Sequence, residues 1–194
     1  MTKHVRTLFV AVVLAVAVYF SARWLFFGGR IPWPIDFKTF WLSGGRPLGV
    51  VYVGHPLPFA YPPTSLFLFK PFSQLPFLPG YFAWTALSTA LFGLSVARTC
   101  GAKTAGLSLL SPAAAKGISL GQSAMLLGGA LFASLRLTPF AMGAVFGLVA
   151  VVKPQLVLLA PVAFLVRREW RTLGGMAGVG AGAVLPWMVG FGPA

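Results

Sequence analysis

Residues 77–97, FLPGYFAWTALSTALFGLSVA, run without a single charged side chain and are closed by Arg98 and Lys103. About 20 apolar residues are what a helix needs to cross the hydrocarbon core of a bilayer. Lys and Arg gathered at one end of such a run mark its cytoplasmic end. This stretch therefore reads as a membrane span that ends inside, and the flanking sequence extends that reading in both directions.

Toward the C-terminus, shorter apolar runs follow, each bounded by a cation or a Pro: 104–116, 123–135, 139–152, 154–166 and 173–189. Their alternation predicts further crossings, with the basic cluster Arg167, Arg168, Glu169, Trp170 and Arg171 on the cytoplasmic side. Toward the N-terminus, Tyr61–Leu75 opens on Pro62 and Pro63 and carries Lys70, Pro71 and Gln74. It is short for a span and fits a helix lying at the membrane interface. The stretch before it is a long polar connection. Leu8–Phe27, preceded by Lys3, His4 and Arg6, reads as a first transmembrane helix with the N-terminus cytoplasmic; a cleaved signal peptide is the alternative reading. The expected fold is thus an all-α, polytopic helical bundle of about seven transmembrane helices plus a juxtamembrane helix. It would form one membrane domain over 1–194, with a first transmembrane helix at 8–27, an extracytoplasmic loop at 28–76 and the remaining transmembrane helices at 77–191. The expected location is the plasma membrane, with multiple passes.

The composition agrees with a membrane class. Of 194 residues 58% are hydrophobic and 9% charged, against roughly 25% charged in an ordinary soluble domain. Fifteen Lys and Arg face two acidic residues, Asp36 and Glu169, for a net charge of +13. Because the cations punctuate apolar runs rather than cluster on a polar face, they read as topology signals and not as a nucleic-acid footprint. The one cysteine, Cys100, allows no internal disulfide. The glycine-rich stretch 174–182 reads as small-residue helix packing through Gly174xxxGly178 and Gly178xxxGly182.

In this topology Asp36, His55, Tyr61, the Gly121-Gln122 turn and the Lys153-Pro154 turn all fall at the outer membrane face. Should Tyr61–Leu75 span instead, every later segment inverts. Asp36 reads equally as a helix N-cap and as a general base for an attacking hydroxyl. Lys153, between two apolar runs, is either a snorkelling cation or a fixed charge for a phosphate, with Gln155 beside it as a hydrogen-bond donor. Gln122 is a cap or packing residue in one reading and a ligand contact in the other. His55 is an ordinary loop histidine, or a group for substrate oxygen or proton transfer. Paired carboxylates, an acidic cage for a divalent metal, a phosphate-binding glycine loop, zinc spacings and a Ser/His/Asp set are all missing from the sequence. Neither a metal nor a cofactor is expected.

Taken in order, Asp36 in DFKTFW, a Gly-xxx-Tyr stretch ending at Tyr52, FAYPP at 59–63, Gly121-Gln122, Lys153-Pro154-Gln155 and RREWR at 167–171 resemble glycosyltransferase family 87. This family comprises integral-membrane transferases of the GT-C type and includes polyprenyl-phosphate-mannose-dependent α-(1,2)-mannosyltransferases. The motifs span about residues 30–172. The resemblance implies an inverting hexosyl or mannosyl transfer, at the extracytoplasmic face, from a polyprenyl-phosphate sugar to a lipid or glycan acceptor. The partners it implies are that donor, that acceptor and the lipid bilayer. By the same resemblance Asp36 would deprotonate the acceptor, Lys153, Gln122 and His55 would face the departing phosphate, and Tyr61 would shape the pocket. Family members are longer, so the chain is expected to be an N-terminal portion or a short copy. Of two competing readings, a non-catalytic membrane protein that binds a polyprenyl lipid or a partner subunit stands nearer than a transporter, because most charges lie at helix ends.

Overall fold

The computed structural model describes residues 34–45 and 61–191, and every described element is helical or a turn. In chain order these are α1 (Ile35–Gly44), a 3-10 turn (Pro63–Ser65), α2 (Leu66–Ser73), α3 (Phe77–Cys100), α4 (Ala102–Leu109), α5 (Pro112–Leu120), α6 (Ala124–Ser134), α7 (Pro139–Val152), a second 3-10 turn (Pro154–Leu156), α8 (Ala160–Val166) and α9 (Trp170–Phe191). The expected first transmembrane helix at 8–27 lies outside the described residues. The described part of the 28–76 segment holds α1 and α2.

The all-α expectation holds, and the seven-helix polytopic bundle does not. Among the described residues one helix, α3, is long and apolar enough to cross a membrane, or two spans exist if the α5–α6 pair, bent by 119°, counts as one. The physical reason lies in the breaks. A helix rises about 1.5 Å per residue, so α4, α5, α6, α7 and α8 reach only about 10–21 Å against a hydrocarbon core of about 30 Å. Gly101 at φ 94° separates α3 from α4, Gly121 at φ 68° ends α5, and α5, α7 and α8 each start with a Pro in the first turn. Positive φ is a conformation that glycine adopts freely and that no L-helix continues. Proline likewise starts helices better than it continues them. Residues that membrane helices tolerate thus act here as terminators. The multi-pass location, with a cytoplasmic N-terminus and an outward-facing site, is overturned with the span count that it needed. The fold keeps a limited apolar helix content consistent with partial membrane association.

Two helix pairs and one aromatic core organise the chain. α7 packs along α9 and α3 along α6. The α7–α9 approach is close enough that a Cβ on Gly143 would lie 1.9 Å from the carbonyl oxygen of Thr172, and one on Gly175 2.1 Å from that of Phe140. The glycines that permit this helix contact are therefore Gly143, Gly147 and Gly175, since a Cβ on Gly147 would lie 2.5 Å from the Met176 carbonyl oxygen. Gly174, Gly178 and Gly182, where close packing was expected, have nothing within 4 Å of a built Cβ.

The core nearest the site joins Phe37 and Phe40 of α1, Leu66 and Phe69 of α2, Tyr81 and Trp84 of α3, and Leu126 of α6. Phe37 and Phe40 fall three residues apart and so share one helical face. Phe40 stacks on Phe69 with ring centroids 4.0 Å apart. The Trp41 indole donates to the carbonyl of Leu75 at 2.9 Å, which fastens α1 across the end of α2. A second core of Leu127, Val149, Val152 and Val157 lies between α6 and the end of α7. Tyr61 packs against both cores.

Candidate functional site

The position of α1 fixes the candidate base. Pro34 stands at the helix N-cap and its carbonyl accepts from the Lys38 amide at 2.8 Å, so Asp36 lies inside the first turn, with no side-chain cap bond. The N-cap reading of Asp36 is thereby replaced. A carboxylate in a helix's first turn is stabilised by the helix dipole. The Asp36 side chain is half-buried, and its carboxylate has no hydrogen bond or ion pair among the described residues. It adjoins Phe37, which is buried in the aromatic core.

That neighbour carries α1 onto the Gly121-Gln122 turn. A Cβ on Gly121 would lie 2.5 Å from Phe37 Cβ, so the turn backbone is pressed directly against α1. Gly121 closes α5 in the left-handed conformation. Its N–H bonds the Ile118 carbonyl at 3.1 Å and the Gln122 N–H bonds the Gly117 carbonyl at 2.9 Å, the pairing of a Schellman cap. From α3, the buried Trp84 indole donates to the Gly121 carbonyl at 2.9 Å, and the Tyr81 hydroxyl donates to that of Ile118 at 2.9 Å. Phe37 packs against both rings, with centroids 5.6 Å from Tyr81 and 6.4 Å from Trp84. The half-buried Gln122 is thus held by two hydrogen-bonding aromatics, and its amide has no partner among the described residues.

The next residue in the turn, Ser123, is fully buried, and its hydroxyl donates to the Tyr61 oxygen at 3.4 Å. The Lys153 ammonium sits 5.8 Å from the centre of the Tyr61 ring, within the range of a cation–π contact. Tyr61 also meets Phe40 edge-on at 5.1 Å. Thr64 Oγ1 donates to the Val151 carbonyl at 3.4 Å, which ties the segment after Tyr61 to the end of α7. Lys153 ends α7 and is half-buried. A cation there favours the helix C-terminus and remains available to an anion.

Tyr61, the Gly121–Ser123 turn and Lys153 are therefore brought to one place, and α1 packs against Gly121 through Phe37. His55 lies outside the described residues. Among the described residues no group of three His, Cys, Asp or Glu side chains gathers. The positioning residues Trp84, Tyr81 and Ser123 were not singled out in the sequence. Ser123 had a usable signal, because it follows Gly121-Gln122. Trp84 and Tyr81 were concealed within the apolar run.

A sequence model of glycosyltransferase family 87 matches residues 59–194. The matched stretch contains Tyr61, Gln122 and Lys153 and begins after Asp36 and His55. No curated protein and no solved structure matches the chain.

Proposed function

We propose, since this chain belongs to glycosyltransferase family 87, that it transfers a hexosyl group, such as the mannosyl group moved by members that its motifs resemble, from a polyprenyl phosphate to a hydroxyl of a lipid or glycan acceptor. The observation that carries this reading is the meeting of Ser123, Tyr61 and Lys153 beside the turn that presses on α1. Lys153 lies over the ring of Tyr61, which meets Phe40 of α1 edge-on, and Gln122 follows the glycine that presses on α1, the helix that carries Asp36.

The reaction is a single inverting displacement. The acceptor oxygen forms its bond to the anomeric carbon from the face opposite the phosphate. The bond from that carbon to the phosphate oxygen breaks, and its electron pair leaves with the lipid phosphate. The acceptor proton passes to the Asp36 carboxylate, a base of the right type for a hydroxyl that becomes acidic only as it attacks. Negative charge grows on the departing phosphate, where a fixed ammonium (Lys153) and an amide donor (Gln122) stabilise the transition state more than the ground state. Tyr61 holds Lys153 in place through its ring and shapes the wall between the cation and the turn. His55 is a further candidate for the phosphate side.

The test is transfer of radiolabelled hexose from a synthetic polyprenyl-phosphate hexose to an extracted lipid or glycan fraction. Asp36→Asn is expected to lower kcat by about 10²–10⁴-fold, the range of general-base contributions. Lys153→Ala is expected to lower it by about 10²-fold, in line with loss of one charge-stabilising group. Undiminished transfer by Asp36→Asn removes the catalytic assignment. Tight donor binding by the unaltered chain with no transfer to any acceptor supports a lipid-binding role instead.

A further inference from the structure

Although α3 is apolar enough to cross a membrane, its buried face carries a polar notch. Thr85, Ser88 and Thr89 follow the i, i+3, i+4 spacing that places side chains on one face. They are 5%, 3% and 2% exposed, and none of their hydroxyl oxygens has a hydrogen-bond partner. Such hydroxyls in a helix commonly bond back to the preceding turn's carbonyl, and these three do not. All line one space, shared with Gly117, Gln122 and Met125 and too tight in this arrangement for a water molecule. Unpaired buried hydroxyls oppose folding, whereas Val or Ala of the same shape would not. The three groups therefore add nothing to the closed fold that apolar residues would not do better.

The chemistry of the lining narrows what it can receive. Beside the three hydroxyls its side chains are those of Trp84, Ile118, Gln122 and Met125, and none is charged. A neutral ligand rich in hydroxyls matches it, since each sugar hydroxyl both donates and accepts, whereas a phosphate would meet no cation there. The position fits the same idea. Gln122 faces this notch, while the adjoining Ser123 reaches Tyr61 and, through its ring, Lys153. One turn thus separates a neutral hydroxyl-lined space from a cation. Met125 lines the notch and lies against Gly117, where its Cγ would be 3.5 Å from a Cβ and no other side chain lies within 4 Å. An unbranched thioether changes rotamer easily, and a glycine opposite leaves it room.

We propose that Thr85, Ser88 and Thr89 form a subsite for the hydroxyl-bearing edge of a neutral sugar, admitted when Met125 swings away from Gly117, with Gln122 at the junction between this subsite and the phosphate side. The inference rests on the transferase reading for the sugar being substrate, and its test is one of binding. Methyl α-mannoside is titrated into the full chain and followed by saturation-transfer NMR, alongside thermal unfolding. Thr85→Val, Ser88→Ala and Thr89→Val together are expected to weaken the sugar at least about tenfold, the equivalent of one lost hydrogen bond, with Tm unchanged or raised. Single deoxy-mannosides should bind the unaltered chain more weakly and the triple variant no more weakly than the parent sugar. Met125→Ala, which clears that side chain from the notch, should tighten binding; it decides the matter if the triple variant fails to fold. Unchanged affinity in a folded triple variant, a lowered Tm in that variant, or weaker binding in Met125→Ala overturns the subsite. Asp36→Asn separates the two ideas: loss of transfer with sugar binding intact leaves both standing. Sugar binding in an unaltered chain that transfers nothing removes the transferase reading alone, and transfer with hydroxyl-independent binding removes the subsite alone.

Discussion

α5 and α8 end in the same hydrogen-bonded motif, and comparing them shows what makes a turn residue irreplaceable. In α5 the left-handed residue is Gly121, and in α8 it is Arg168 at φ 57°. The Arg168 N–H bonds the Leu165 carbonyl at 3.0 Å and the Glu169 N–H bonds that of Phe164 at 2.9 Å, the same pairing that Gly121 and Gln122 make. Identical backbone geometry therefore accepts a glycine in one place and an arginine in the other. The difference is what covers the turn. Phe37 lies against Gly121, with Trp84 and Tyr81 bonded to the carbonyls around it, whereas Arg168 is exposed. Positive φ alone makes a side chain costly; a packed neighbour makes it intolerable.

The sharpest way to break the comparison is Gly121→Ala. The new Cβ would combine left-handed strain with a 2.5 Å approach to Phe37 Cβ, a main-chain-anchored atom that no rotamer change can move. Strain of about 1–2 kcal/mol and overpacking of about 1–3 kcal/mol give a loss on the order of 3 kcal/mol. Thermal unfolding should show Tm lower by roughly 6–12 °C for a chain of this size. Transfer activity should fall further than stability requires, because α1 and Gln122 are both displaced. A Tm within about 2 °C of the unaltered chain would mean that the turn is not pressed on α1.

Second in size is Trp84→Phe, which keeps most of the ring and removes the indole donor. The Gly121 carbonyl then loses its side-chain bond, a loss of about 1–3 kcal/mol for a buried acceptor. Trp84 would be a positioning residue in this view. Its variant should therefore lower kcat for transfer more than it raises KM, whereas a packing role alone would lower Tm and leave the kinetics of the folded fraction unchanged.

The same contrast explains how far the sequence could be read. Polar residues stranded between apolar runs marked the turns at Gly121-Gln122 and Lys153-Pro154 correctly, because a turn needs polar or glycine residues whatever surrounds it. The number of spans is not legible because a hydropathy run does not report φ: Gly101, Gly121 and the helix-starting prolines interrupt it without lowering its apolar character. Tyr61 could be singled out, but not its bond to Ser123, 62 residues away, since long-range pairing leaves no local pattern. The hydroxyls at 85, 88 and 89 stand at helical spacing in the sequence but are masked by their setting, as three polar residues scarcely change the hydropathy of a 24-residue helix. Asp36 and Glu169, the two acids, show the same division. The acid count isolates Asp36 as a chemical candidate, while only the structure shows that it is not a cap.

The smallest effects belong to the exposed turn, and they test the comparison from its other side. Arg168→Gly should stabilise the chain by about 0.5–1 kcal/mol, since glycine relieves left-handed strain at a position where no side-chain contact is lost. The gain is partly offset by the greater freedom of glycine in the unfolded chain. Glu169→Gln removes the Arg167–Glu169 ion pair, 3.0 Å long, but the arginine side chain is 75% exposed. Solvent screening holds such a pair to roughly 0.5 kcal/mol or less, diminishing further in salt. Both variants should leave transfer activity alone, because this turn touches neither α1 nor the Tyr61–Lys153 contact. Were Arg168→Gly to destabilise the chain by as much as Gly121→Ala, then coverage would not be what distinguishes the two turns. The arginine would instead be holding a contact of its own, and the glycine at 121 would have to be explained by φ alone.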